Sequence, residues 1–218
     1  VTIDWGDGSP AEILPGTGNV NTAHQYAAAG DYTISLAVAE GCMLGLGWND
    51  SSNCVMGSTR NNGRVYCNLL QSAHIGERVS KIDNFAFQYC YSLASITIPD
   101  GVTSISGYAF YNCYSLASIT IPNGVTSIGN TAFQNCYSLA SITIPDGVTR
   151  INAGAFQNCY GMAEYHLKPT TPPTLSNTNA FSGIPADCII YVPQGCLEAY
   201  QAATNWAAYA DYMREEAA

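Results

Sequence analysis

The chain has 218 residues, 47% of them hydrophobic, enough for a sizeable core in one elongated domain or two small ones. Only 11% are charged, with seven Lys and Arg and a formal net charge of −9. That balance excludes the clustered cations needed to track a nucleic-acid backbone or an anionic membrane. No apolar run approaches the ~18–20 residues of a membrane-spanning helix. The start at Val1 carries neither Met nor a signal peptide, so a longer precursor is expected.

VTIDW at 1–5 reads as a strand that runs into the tight turn GDGSP at 6–10. HQY at 24–26 comes next, then GDYTISLAV at 30–38, an alternating strand. WGDGS with a later HxYxxxGxYxIxL resembles the PKD-type immunoglobulin-like β-sandwich module over about residues 1–40. Residues 1–42 are therefore expected to be a partial PKD-like β module. The resemblance implies a structural hydrogen bond for His24. Asp4 and Asp7 flank the turn, as turn-capping groups or as calcium ligands. Residues 43–63 are rich in Gly, Ser and Asn and read as an irregular connection with one or two short strands.

A repeat governs the next part. CYSLASITIP occurs at Cys90, Cys113 and Cys136, a period of 23 residues. Phe87, Phe110, Phe133 and Phe156 form one column. Cys67, Cys90, Cys113, Cys136 and Cys159 form another. A third holds Leu70, Leu93, Leu116, Leu139 and Met162. Within a unit, Ala109, Phe110, Cys113 and Leu116 have the spacing of one face of a short helical turn. Ser118 to Ile121 then alternate as a strand. PNG at 122–124, like PDG at 99–101 and 145–147, is turn chemistry. Val125 to Ile128 make a second short extended piece. Each unit has an apolar edge that it cannot bury alone, so stacking is obligatory. The spacing predicts an α/β solenoid over 64–184, with a short parallel sheet and helical turns. The module at 1–42 is expected to pack on its N-terminal end as a cap.

The pattern AFxxCxxLxxIxIPDGVTxI resembles the BspA-like leucine-rich-repeat family of bacterial surface proteins, over about residues 64–210. That resemblance implies an extracellular or surface-attached interaction protein, adhesin-like and not an enzyme, that meets a host or matrix protein or a glycan. The alternative is a spacer or scaffold segment of a larger surface protein, with no ligand of its own. IYVPQGCLEAY at 190–200, with Asn205 and Trp206 after it, resembles the strand-plus-helix end of such arrays. The apolar spacing of Leu197, Tyr200, Trp206, Tyr209 and Met213 predicts one helix from Leu197 to Glu216, within a C-terminal cap at 185–218.

The cysteine column invites chemistry. Metal binding needs ligands that converge, and no C-x-x-C pair is present. Equivalent positions in a stack point the same way, so they cannot form disulfides with one another. The helical side should also hold repeats further apart than the ~4.8 Å strand spacing. A small apolar wall residue is the favoured reading. Cys42–Cys54 and Cys188–Cys196, off the ladder, are candidate disulfides. No catalytic or phosphate-binding motif occurs, and no metal or cofactor is expected. His74 falls in the Thr97 column, on the outward face of a strand.

Two outward columns are the candidate binding residues. Ser95, Thr97, Ser118, Thr120, Ser141 and Thr143 should line the exposed strand face. Tyr91, Tyr114, Tyr137 and Tyr160 come directly after each cysteine. Hydroxyls and Tyr can bind protein or glycan with little electrostatic steering. The same residues also suit a solvated strand face and a shielded turn without any ligand. The sequence does not set the oligomeric state.

Overall fold

The computed structural model describes residues 2–4, 8–13, 35–37, 44–46, 70–75 and 79–217, with backbone alone at 2, 35–37 and 44–46. Trp5, Asp7, His24, Cys42, Cys54 and Cys67 lie outside the described residues, and with them the Cys42–Cys54 pairing. Near the N-terminus, β1 (Thr2–Asp4) pairs antiparallel with β2 (Glu12–Ile13) and β3 (Ser35–Ala37). Among the described residues this part is one antiparallel sheet; the rest of the expected sandwich lies outside them.

The remainder is a coil that contributes to two parallel sheets on each turn. The second strand of each coil builds one continuous sheet. Its members are β4 (Leu44–Leu46), β6 (Val79–Ile82), β8 (Ser104–Ile105), β10 (Ser127–Ile128), β12 (Arg150–Ile151) and β14 (Thr174–Leu175). The first strands are β5 (Ser72–His74), β7 (Ser95–Thr97), β9 (Ser118–Ile119), β11 (Ser141–Ile144), β13 (Glu164–Leu167), β15 (Ile189–Val192) and β16 (Met213–Glu215). These form two sheets, of three and four strands, with no ladder between β9 and β11. Register is set by the repeat: Ser95 opposes Ser118, and Ser104 opposes Ser127. The period-2 pattern then sends each Ile inward. In β11, Ser141 and Thr143 are exposed while Ile142 and Ile144 are buried.

Each coil turns at its Pro-x-Gly step, where the Val amide donates back to the Pro carbonyl, as in Val148 to Pro145 at 3.1 Å. Glycine is needed there for close approach. A Cβ on Gly147 would lie 2.8 Å from the Asn123 carbonyl of the preceding coil.

The third side of the coil differs from the expected helical turn. Tyr111 N donates to Tyr108 O, Cys113 N to Phe110 O and Leu116 N to Cys113 O, all i to i−3 bonds. The intervening amides of Tyr108, Phe110 and Asn112 donate instead to Asn130, Ala132 and Gln134 of the next coil, at 2.7–2.9 Å. Left-handed residues at Tyr108 (φ 58°) and Asn112 (φ 62°) make this alternation possible. A helix would keep those amides within its own turn. Because they reach the next coil, this side keeps a strand-like spacing, which corrects the wider separation expected there. The phenylalanine rings stack at 5.1–5.4 Å from Phe87 through Phe110, Phe133 and Phe156.

The stack then continues to Phe181 at 5.4 Å, one coil beyond the 23-residue register, across a coil two residues longer. At the C-terminal end the single predicted helix is three elements: α1 (Leu197–Ala202), a 3₁₀ helix (Trp206–Tyr212) and β16. Asn205, left-handed at φ 67°, breaks the run and donates its side-chain amide to Leu175 O at 2.7 Å. The residues that the apolar spacing picked out at Tyr200, Trp206, Tyr209 and Met213 are buried all the same.

Candidate functional site

The ten residues singled out by sequence fall on two different sides of the coil. Ser95, Thr97, Ser118, Thr120, Ser141 and Thr143 are exposed on the outer face of the first strands. One row of that face carries His74 opposite Thr97, and further on Thr143 opposite His166, then Tyr191, then Arg214. The face is therefore hydroxyl-lined in the middle and aromatic and charged towards the C-terminus.

The hydroxyls of the two sheets behave differently. On the second sheet side, Thr103 Oγ1 donates to Ser80 O, Thr126 Oγ1 to Thr103 O and Thr149 Oγ1 to Thr126 O, at 3.2–3.3 Å. These threonines staple one coil to the next. On the first sheet, no chain partner among the described residues engages the six Ser and Thr hydroxyls. Their hydrogen-bonding capacity faces solvent. Where the first sheet splits between β9 and β11, an open groove of about 660 Å³ forms, lined by Thr120, Asn123, Ser141, Thr143, Asp146 and Lys168 among others.

The tyrosine column is a stack. Tyr91 meets Tyr114 at 4.8 Å, Tyr114 meets Tyr137 at 4.7 Å, and Tyr137 meets Tyr160 at 5.4 Å, all near parallel. The interior rings thus cover one another's faces and show edges and hydroxyls. Tyr160, at the end of the column, is 58% exposed. Burial first, and then the neighbouring tyrosines, push Tyr114 and Tyr137 above the usual phenol value. Sequence reasoning missed a second cluster beside the column. Tyr89 packs against Tyr91 and Tyr111, and Tyr108 against Phe85 and Tyr111. Tyr108 lies in the column of Phe85 and Thr131, a register signal that identical residues would have revealed.

The cysteine column is buried. Cys90, Cys113, Cys136 and Cys159 have no exposed surface. The thiols also have a specific task. Cys113 Sγ donates to Phe87 O, Cys136 Sγ to Phe110 O and Cys159 Sγ to Phe133 O, at 3.2–3.3 Å. Each therefore supplies a weak donor to the previous coil as well as a small apolar body. Burial pushes the Cys136 thiol well up and the Cys159 thiol to about 12, which disarms both as nucleophiles. Cys188 and Cys196 are free thiols, so the candidate disulfide between them is not formed. An amide ladder runs beside the thiols: Asn135 Nδ2 donates to Asn112 Oδ1 at 2.6 Å and Asn158 Nδ2 to Asn135 Oδ1 at 3.0 Å.

Residues 61–185 match the family described as BspA type leucine rich repeat region, in six copies. The chain belongs to the BspA type leucine rich repeat family. It is similar to a leucine-rich repeat protein from Bacteroides ovatus, at 39% identity and a TM-score of 0.53, over 59% of this chain and 33% of that one. A leucine rich cell surface protein from Faecalibacterium prausnitzii is 28% identical with a TM-score of 0.53, over 68% of this chain and 36% of that one. The pneumococcal vaccine antigen PcpA, at 19% identity and a TM-score of 0.52, shares the fold over 66% of this chain and 34% of that one. The chain spans about a third of the length of each of these structures. No curated protein matches.

In this BspA type array the charged groups gather at the C-terminal end of the first sheet. His166 Nε2 lies 3.2 Å from Glu164 Oε2, and its Nδ1 lies 3.1 Å from Glu216 Oε1. Lys168 Nζ meets Glu216 Oε2 at 2.6 Å. The Lys168 hydrogen bond, aided by His166, holds the Glu216 carboxyl below the usual carboxylate range. Tyr191 stacks on His166 at 5.1 Å. This network ties the end of β16, the last strand of the cap, to β13, two strands away. Among the described residues no group of His, Cys, Asp and Glu is arranged to hold a metal ion.

Proposed function

We propose that the chain is the repeat segment of an extracellular or cell-surface interaction protein, adhesin-like and without catalytic activity, that presents its first-strand face to a host or matrix protein or a glycan. The observation that carries this reading is the contrast between the two sets of hydroxyls. Thr103, Thr126 and Thr149 are engaged by the chain itself, whereas Ser95, Thr97, Ser118, Thr120, Ser141 and Thr143 are not, among the described residues. The family membership and the similarity to a cell surface protein support the location. No helix among the described residues is long and apolar enough to cross a membrane. The reading includes a partial PKD-like module at 1–42, a connection at 43–63, the solenoid at 64–184 and a cap at 185–218. The binding surface it assigns to Tyr91, Tyr114 and Tyr137 is their ring edges and hydroxyls, and to Tyr160 also a ring face.

The test is saturable binding to a panel of matrix proteins and glycans. Replacing Thr97, Thr120 and Thr143 together by Glu should abolish it while the thermal midpoint stays within a few degrees. Binding that is indifferent to the triple substitution would refute the assigned face. A second reading, a spacer segment with no ligand, is favoured by the tyrosine stack, whose interior faces are already covered. It is supported if nothing on the panel binds saturably.

A further inference from the structure

The split in the first sheet lies between two strands that each bring an unengaged Ser and an unengaged Thr to the outer face. The flanking strands are in ladders on their outer sides, β9 with β7 and β11 with β13. The groove over the split takes Thr120 and Thr143 from one row of the face, Ser141 from the adjoining row, Asn123 and Asp146 from the turns after β9 and β11, and Lys168 from the end of β13. The side chains of Ile119, Ile121 and Ile142 point into the core, with 2–8% exposure. The floor of the groove is therefore backbone, and its walls are polar.

Three classes of occupant can be weighed. An added β-strand would need the two coils to stand two strand spacings apart, about 9.5 Å. Elsewhere around the same coils the spacing is locked: Ser127 stays in register with Ser104 and Arg150, Phe110 stacks on Phe133 at 5.1 Å, and Tyr114 on Tyr137 at 4.7 Å. An inserted peptide strand does not fit. A protein partner would need a pocket for an aromatic or aliphatic anchor, and the apolar residues that line the groove, Ile119, Ile121, Ile142 and Pro145, are all buried. An anionic ligand would meet the Asp146 carboxylate, while Lys168, the one cation among the described residues of the groove, is already paired with Glu216.

What remains is matched by a neutral polyol. Three hydroxyls each donate and accept, the Asn123 amide does both, and the Asp146 carboxylate accepts two hydroxyl protons in a fork. No chain partner engages the Thr120, Thr143, Ser141, Asn123 or Asp146 side chains among the described residues. The volume, about 660 Å³, is that of a small-ligand site. We infer that the groove between β9 and β11 is a subsite for a neutral, unsulfated and unsialylated oligosaccharide, read by Thr120, Asn123, Ser141, Thr143 and Asp146. This rests on the interaction-protein reading and gives it a ligand class and a place.

The experiment is saturation-transfer NMR and calorimetry on the full chain with short gluco-, galacto- and manno-oligosaccharides, beside sialylated and sulfated glycans. At least one neutral oligosaccharide should bind. Asp146→Asn should weaken it about tenfold, and that change is tolerated structurally because Asn123 holds the same place in the coil before. Thr120→Val with Thr143→Val, close in shape, should weaken it by a similar factor, and Ser104→Ala, on the other sheet and away from the first-strand face, should not. Binding of neutral sugars that ignores the groove variants overturns the subsite, as does binding of anionic glycans alone. A matrix protein that binds where no oligosaccharide does also overturns it, yet leaves the interaction-protein reading intact. The absence of any saturable ligand removes both.

Discussion

The middle coils and the C-terminal end hold together by different means. From Phe87 to Tyr160, almost every contact is copied: Phe on Phe, Tyr on Tyr and Asn to Asn, each to the equivalent residue one coil away, and each thiol to a Phe carbonyl of the coil before. From Pro169 onward the contacts are single. Tyr200 Oη donates to Pro169 O at 2.7 Å, Trp206 Nε1 to Pro173 O at 2.6 Å, and Tyr209 Oη to Thr178 O while accepting from Phe181 N. A stack satisfies its interior for as long as it continues. At its end the last coil's carbonyls would be left without donors, and buried aromatic side chains with polar tips supply them.

The comparison can be broken most severely in the middle. Phe133→Ala removes a ring stacked on both faces and should cost about 3–5 kcal/mol. Hydrogen exchange should rise in the coils on both sides of it. A rise confined to its own coil would contradict a stack that is cooperative through its copied contacts. The end should break differently. Trp206→Phe keeps the packing but leaves the Pro173 carbonyl without its donor, at about 1–3 kcal/mol. Exchange should rise between 169 and 216 and hardly at all before Phe156.

Alkaline pH sharpens the contrast. The folded thiols of Cys136 and Cys159 are held protonated by burial, the latter to about 12 against an ordinary 9.0. Their stability contribution is complete below the unfolded value, because both states then bind the proton. It is lost as pH rises from about 9 towards the folded value, because only the unfolded chain ionises. The expected slope is about 1.4 kcal/mol per pH unit for each thiol. Urea midpoints across that range should show it, with a shallower fall in Cys159→Ala. The smallest effect should come from Tyr165→Phe. The Tyr165 hydroxyl is fully buried, meets no nitrogen or oxygen, and lies against the Cys159 thiol. Its removal should leave the thermal midpoint unchanged or raise it, by up to about 1 kcal/mol in stability.

The columns were legible because identical residues recur at one interval, and an interval is a register. Phe110, Cys113, Leu116 and Ile119 all lie where their spacing puts them, buried and in line. The conformation of the turn side was not legible. Its left-handed positions are filled in different coils by Phe85, Tyr108, Thr131 and Gly154, and only glycine announces that backbone. Two facing columns of side chains can obey a helical spacing while the amides between them point to the next coil. The tail was misread for a related reason. An apolar spacing of three and four residues is met by Tyr200, Trp206 and Tyr209 in an α-helix and a 3₁₀ helix in succession just as well as in one long helix. Of the candidate site, the outward rows were legible from alternation alone. The split between β9 and β11 was not, since the two strands carry the same residues as their neighbours.

The copied register also makes the coil a unit of length. Cys113 and Cys136 begin the same ten residues. Excising 113–135 would join Asn112 to Cys136 with no change in the local sequence. Phe110 would then face Phe156, Tyr91 would face Tyr137, and the Asn112 amide would meet Asn158, each a pairing of like with like. The array can grow or shrink by whole coils at this seam without inventing an interface, while the cap, whose bonds to Pro169, Pro173 and Thr178 occur once, travels with the final coil.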